Sequence, residues 1–278
     1  MRRVVVTLAI FCLLLGLAGS VAYAASVSQS NLSPLDIWLE EQREGPQALP
    51  PDEAIKKFNE NKAIADQQKA EADQRVLEQI IQGARTSDSV ETSLELDSKK
   101  ATDSVAPLGV VKTIYYWPNR TQSKGGSGIG WSGATWAASD DIRNGSRAEL
   151  YGTYWAKAWG WDYFTPSTSG NYTVSTKFYL TGRIISGSSL KVRVKVTDTT
   201  TGQAITRTIY DPSPGYFDNQ YVGRTEQFYL YAGRKYSFTF ETETNSSSVI
   251  SPTFADFYEK EFDGTQRKIY FYSMQISS

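Results

Sequence analysis

Glu241 and Glu243 are the pair of side chains in this sequence best spaced for chemistry. In an extended strand both point to one face with their Cα atoms about 6.8 Å apart, near the separation a glycosidase needs between its two carboxyl groups. Phe238 and Phe240 occupy the opposite parity and should take the core, which leaves both glutamates on an ordinary solvated face. Catalysis is therefore not expected from them, and the chain reads as a non-enzyme. A carboxylate-based glycosidase is the one familiar hydrolytic chemistry that composition leaves open. The chain has no histidine, and its single cysteine, Cys12, lies in an apolar leader. A Ser-His-Asp or Cys-His nucleophile, the usual zinc site, and a histidine-ligated copper or haem are all excluded.

Aromatic residues form the strongest positive signal. Six of the seven tryptophans fall between Trp117 and Trp161, and every tyrosine except Tyr23 lies beyond residue 114. From Glu149 to Phe164 one parity reads Glu149, Tyr151, Thr153, Trp155, Lys157, Trp159, Trp161, Tyr163; the other contains Gly152, Ala156, Ala158 and Gly160. A strand places the first set on one face. If that face points inward, the rings are core. If it points outward, the rings with Lys157 and Glu149 form a platform, because exposed flat rings stack on sugars or settle at lipid headgroups. The candidate ligand-binding residues are thus Glu149, Trp155, Lys157, Trp159, Trp161 and Tyr163, with Trp159 and Trp161 weighted most. Trp117, Trp131 and Trp136 come next.

Other motifs carry less. Gly125-Gly126-Ser127-Gly128-Ile129-Gly130 has neither the Lys-Ser/Thr nor the helix of a phosphate-cradling loop and reads as a flexible loop. Asp140-Asp141 offers oxygens of the kind calcium takes, so a structural calcium is the only cofactor considered. Glu259-Lys260-Glu261-Phe262-Asp263 resembles the Glu-x-Asp-x-Glu strand motif of jelly-roll glucanases, with the middle and last acids exchanged and no Trp before the first. A charged surface strand is the better reading of that run.

The elements that would position these residues follow from periodicity. Residues 1–24 read as a cleavable signal peptide: Arg2 and Arg3, an apolar core from Val4 to Leu17, then Ala22-Tyr23-Ala24. Residues 25–51 are a proline-punctuated lead. Residues 52–83 predict a helix that starts at Pro51-Asp52, is free of Gly and Pro through Gln82, and stops at Gly83. Its large apolar residues are few, and around Gln67, Gln68 and Lys69 it offers nothing to bury, so it reads as a solvated helix, with self-association through 52–83 as the alternative. Residues 84–104 are a linker.

Residues 105–278 change to a period of two. Tyr172, Val174, Phe178 and Leu180 alternate with polar neighbours, as do Leu190, Val192, Val194 and Val196. Thr200-Thr201-Gly202 and Ala232-Gly233-Arg234 supply turns. Eight or so strands predict a mainly β protein, an antiparallel sandwich of jelly-roll type. The pattern is complete in itself, so 105–278 is expected to fold without the helix.

Charge completes the picture. Residues 25–103 hold 9 basic and 16 acidic side chains, and 104–278 hold 18 and 14. Neither is the footprint of a nucleic-acid binder. The expectation is an extracellular or cell-surface binding protein whose aromatic β-face takes a polysaccharide, a cell-wall glycan or another cell-surface polymer. A structural or assembly protein of the cell exterior, and a membrane-active sandwich that touches lipid without spanning it, are the alternatives.

Overall fold

The computed structural model describes residues 49–94, 109–138, 140–259 and 266–278, without the side chains of 87–94. The expected signal peptide, most of the expected lead, the end of the expected linker and Lys260 to Asp263 lie outside the described residues.

Among the described residues one helix, α1 (Pro51–Leu94), precedes twelve strands: β1 (Val110–Ile114), β2 (Asn119–Ser127), β3 (Gly130–Trp136), β4 (Asp141–Ala148), β5 (Gly152–Phe164), β6 (Gly170–Ile184), β7 (Ser188–Asp198), β8 (Ala204–Tyr210), β9 (Gly215–Leu230), β10 (Tyr236–Ser248), β11 (Thr253–Phe257) and β12 (Lys268–Ser277). They form two antiparallel sheets, the predicted sandwich. One is five-stranded in the order β2-β5-β10-β7-β8. The other has seven strands, with β6 between β9 and β12, and β1, β3, β4 and β11 completing it.

The alternating residues of β6 and β7 face each other between the sheets. Val174, Phe178 and Leu180 meet Leu190, Val192, Val194 and Val196 in one core, joined by Phe238, Phe240, Phe257 and Phe271. Trp117 is fully buried there, its ring 4.7 Å from Phe271. The opposing residue is Gly160, where a Cβ would lie 2.4 Å from the indole. The small residues on that parity of β5 therefore face the sandwich core, and the ring face points the other way.

Three sequence expectations are corrected. The helix does not stop at Gly83 but continues to Leu94. Gly83 is instead a point of close approach: a Cβ would meet the Tyr163 hydroxyl at 2.6 Å. The glycine-rich run is not a free loop. Residues 125–127 belong to β2, and the turn at Gly128, with φ of 92°, carries the chain from the five-stranded sheet into β3 of the other.

The helix, finally, is solvated on one side only. Ala54, Ala65, Ala72, Val76, Ile80 and Ala84 are buried, a stripe at helical spacing that packs on the outer face of the five-stranded sheet. Alanines rather than large residues form its middle because the volume comes from the sheet. Trp155, Trp159 and Trp161 fill the gap.

Candidate functional site

The tryptophan row lies on the outer face of the five-stranded sheet but is covered. Trp155, Trp159 and Trp161 are 1, 2 and 6 % exposed beneath α1. They are neither sandwich core nor open platform, and no ligand reaches their faces while the helix is docked. The Trp159 indole donates to Glu241 Oε2 at 3.0 Å. That of Trp161 donates to the Tyr163 hydroxyl at 3.2 Å, and the hydroxyl donates in turn to the Ile80 carbonyl of α1 at 2.8 Å. Glu149 does not join the row. β5 begins at Gly152, after Tyr151 takes a left-handed φ of 51°, and Glu149 pairs with Arg147 at 3.1 Å.

Polar residues of the same face form an ion cluster at the helix seam. Lys157 Nζ reaches Asp73 of α1 at 2.7 Å, Glu243 at 3.3 Å and Glu241 at 3.5 Å. Arg193 of β7, directly opposite Glu241 in register, pairs with Glu241 and lies 2.6 Å from Glu243. Lys69 of α1 adds a contact to Glu243 at 3.1 Å. Burial works to raise the pKa of Glu243, but the charges of Lys157, Arg193 and Lys69 outweigh it and bring it down to about 2. Burial works to lower that of Lys157, and Glu241, Glu243 and Asp73 outweigh it and raise it. A general acid needs a raised carboxyl pKa, the reverse of what Glu243 has. The two glutamates anchor the helix instead of occupying a solvated face.

The exposed rings are on the other sheet. Tyr270 of β12, Tyr179 of β6 and Tyr221 of β9 are register partners, so they form a row across three adjacent strands. Their ring centroids are 6.4 and 5.3 Å apart along the row. A β-bulge between Phe271 and Ser273 turns Tyr272 out beside them, 6.2 Å from Tyr179. Tyr221 is 52 % and Tyr272 49 % exposed. Tyr221 lies back over Gly223, where a Cβ would come within 2.9 Å of its hydroxyl.

Polar groups surround the row. A depression of about 340 Å³ is lined by Tyr179, Thr181, Asn219, Lys268 and Tyr270. The Lys268 ammonium sits 5.4 Å from the Tyr270 ring centre and 3.5 Å from Asp141. Burial, then the Asp140 carboxylate, raises the Tyr270 pKa, so the phenol keeps its proton well above neutrality. Asp141 also pairs with Arg143 at 3.3 Å. Among the described residues no group of three or more His, Cys, Asp or Glu side chains gathers around Asp140 and Asp141, the pair considered for calcium.

Sequence reasoning missed this row. Tyr179 stands on the polar parity of β6, opposite Phe178 and Leu180, and that was the available signal. Its alignment with Tyr221 and Tyr270 depends on strand register, which single-strand periodicity does not contain.

No family model matches the chain, and no curated protein matches it. Among solved structures it is similar to the carbohydrate-binding module CBM6cm-2 of Cellvibrio mixtus lichenase 5A, solved with cellotriose. The identity is 12 % and the TM-score 0.28, over 61 % of this chain and 98 % of that one. It is also similar to CBM35 of Paenibacillus barcinonensis (10 %, TM-score 0.24, 60 % and 98 %) and to the C-terminal family 22 carbohydrate-binding module of Clostridium thermocellum Xyn10B (12 %, TM-score 0.26, 64 % and 98 %).

Proposed function

We propose that this protein is an exported, non-catalytic glycan-binding sandwich whose binding face is the tyrosine row on the seven-stranded sheet. The observation that carries the reading is the in-register alignment of Tyr270, Tyr179 and Tyr221, with Tyr272 beside them, on an open face. A phenol presents an apolar face and a polar rim, which suits a sugar ring with its C–H face and equatorial hydroxyls. Lys268, Asn219 and Thr181 supply the few directional polar groups that fix orientation in such a site.

Lipid insertion is a poorer match, because polar side chains flank the row along β6 and separate it from Tyr229, the further exposed ring on that face of β9. Thr173, Ser175 and Lys177 of β6 share the tyrosine parity, and Thr225 and Gln275 are their neighbours across the strands. An inserting face would bring an apolar band instead. Among the described residues no helix is long and apolar enough to cross a membrane. Export rests on residues 1–24 and is tested by N-terminal sequencing of secreted protein, which should begin after Ala24.

A glycan array and an insoluble-polysaccharide pull-down with the wild type and Tyr270→Ala test the binding. Retention by the wild type and loss in the variant support the proposal. No retention on any glycan, with liposome binding present, would replace it by the membrane reading.

A further inference from the structure

A second cleft, of about 410 Å³, opens on the opposite side of the molecule between α1 and the β7–β8 edge. Its walls carry five cations, Lys69, Lys157, Lys191, Arg193 and Lys195, against three carboxylates, Asp73, Glu241 and Glu243. The ion pairs described above consume Lys69, Lys157 and Arg193 against those three acids. Lys191 and Lys195 remain. Among the described residues Lys191 makes one ion pair, with Asp211 at 3.9 Å and with both side chains well exposed, a contact of little strength; Glu243, its register partner on β10, is held by Lys157, Arg193 and Lys69. Lys195 faces Thr239 on one side and Thr206 on the other in register. No carboxylate pairs with it among the described residues.

The two lysines flank Arg193 on one face of β7, about 13 Å apart along the strand. The cleft therefore has a neutralised floor and surplus positive charge along one wall, with the Thr206 hydroxyl and the Asn245 amide also lining it. We propose that this cleft binds an acidic saccharide, a carboxylate-bearing stretch of polysaccharide whose uronate groups pair with Lys191 and Lys195. The preference for a saccharide over another carboxylate polymer rests on the function proposed above; the charge argument does not. A nucleic acid fits less well. The cleft exposes no aromatic face for a base to stack on, Trp159 being buried beneath α1, and its three carboxylates oppose a dense phosphate chain.

The test is co-sedimentation and calorimetric titration of the full exported chain with de-esterified polygalacturonate. The comparison polymers are fully methyl-esterified polygalacturonate and a thymidine homopolymer. The variants are Lys191→Ala/Lys195→Ala and Tyr179→Ala. Binding of polygalacturonate that weakens with salt, and falls by about tenfold in the lysine variant, is expected, since two exposed ion pairs reach about that much together. Esterification should lower binding similarly. Tyr179→Ala, on the opposite sheet, should leave the lysine-dependent part intact. That result would support the acidic cleft even if neutral glycans fail to bind at the tyrosine row. Unchanged binding in the lysine variant with its fold intact by thermal melt would overturn the proposal. So would equal retention of the thymidine polymer, or no binding of polygalacturonate by the wild type.

Discussion

Lys157 of β5 and Asp73 of α1 meet at 2.7 Å, and through that contact the helix is tied to the two buried glutamates of the sheet. Lys157→Met would leave Glu241 and Glu243 in a low-dielectric seam with one cation fewer. A buried charge stripped of a partner typically costs about 3–5 kcal/mol, and a loss of that order is expected in urea unfolding. Asp73 is 42 % exposed, so Asp73→Asn should cost no more than about 1 kcal/mol. Equal effects of the two variants would contradict the cluster as described.

Acid should loosen the same seam. Glu243 titrates at about 2 in the folded chain against an ordinary 4.5, so protons bind the unfolded chain more readily. Its stabilisation is complete above about pH 4.5 and is lost as pH falls toward 2, amounting to roughly 3 kcal/mol. Urea midpoints measured from pH 5.5 to 2.5 should fall, and Glu243→Gln should flatten the slope over that range. An unchanged slope in the variant would remove Glu243 as the cause.

Covering by α1 also changes what the tryptophans should do. Trp159→Ala is expected to cost about 3–5 kcal/mol, as for a large core side chain, because Trp159 lies between β5 and the helix. A chain beginning at residue 109 should expose all three rings of the row. We expect a lower melting temperature, red-shifted tryptophan emission and dye binding. A truncated chain that melts and fluoresces like the intact one would show that the helix is dispensable.

The helix and the tyrosine row show where sequence reasoning ends. β6 and β7 were legible because Val174, Phe178, Leu180 and Leu190 to Val196 alternate strictly. The turns were legible at Gly202 and Gly233, where φ is 75° and 73°. The docking stripe of α1 was not, because Ala65 and Ala72 contribute little side-chain volume and a search for large apolar residues passes over them. Trp155, Trp159 and Trp161 do share one face of β5, without Glu149, but no periodicity says what lies on top of it. Glu241 and Glu243 were assigned to their face correctly as well. Their burial depends on α1, which is remote in sequence.

Tyr221 should depend on the absence of a side chain at Gly223. Gly223→Val is expected to lift the ring off the sheet and weaken glycan binding while leaving the core intact. Circular dichroism and a thermal melt alongside the titration separate these effects. A variant that binds as the wild type does would place Tyr221 outside the site.

The central claim is that ligand contacts the open tyrosine row and not the covered tryptophans. It is tested most directly by titrating the intact chain and Tyr179→Ala with a neutral polysaccharide retained by the wild type, so that the lysine-lined cleft does not contribute. Tyr179 is half-buried and its ring meets those of Tyr221, Tyr270 and Tyr272, so the substitution should lower stability by about 1–3 kcal/mol. Loss of binding at a temperature where the variant is still folded is the expected result. Full binding by a normally folded Tyr179→Ala protein would contradict the claim.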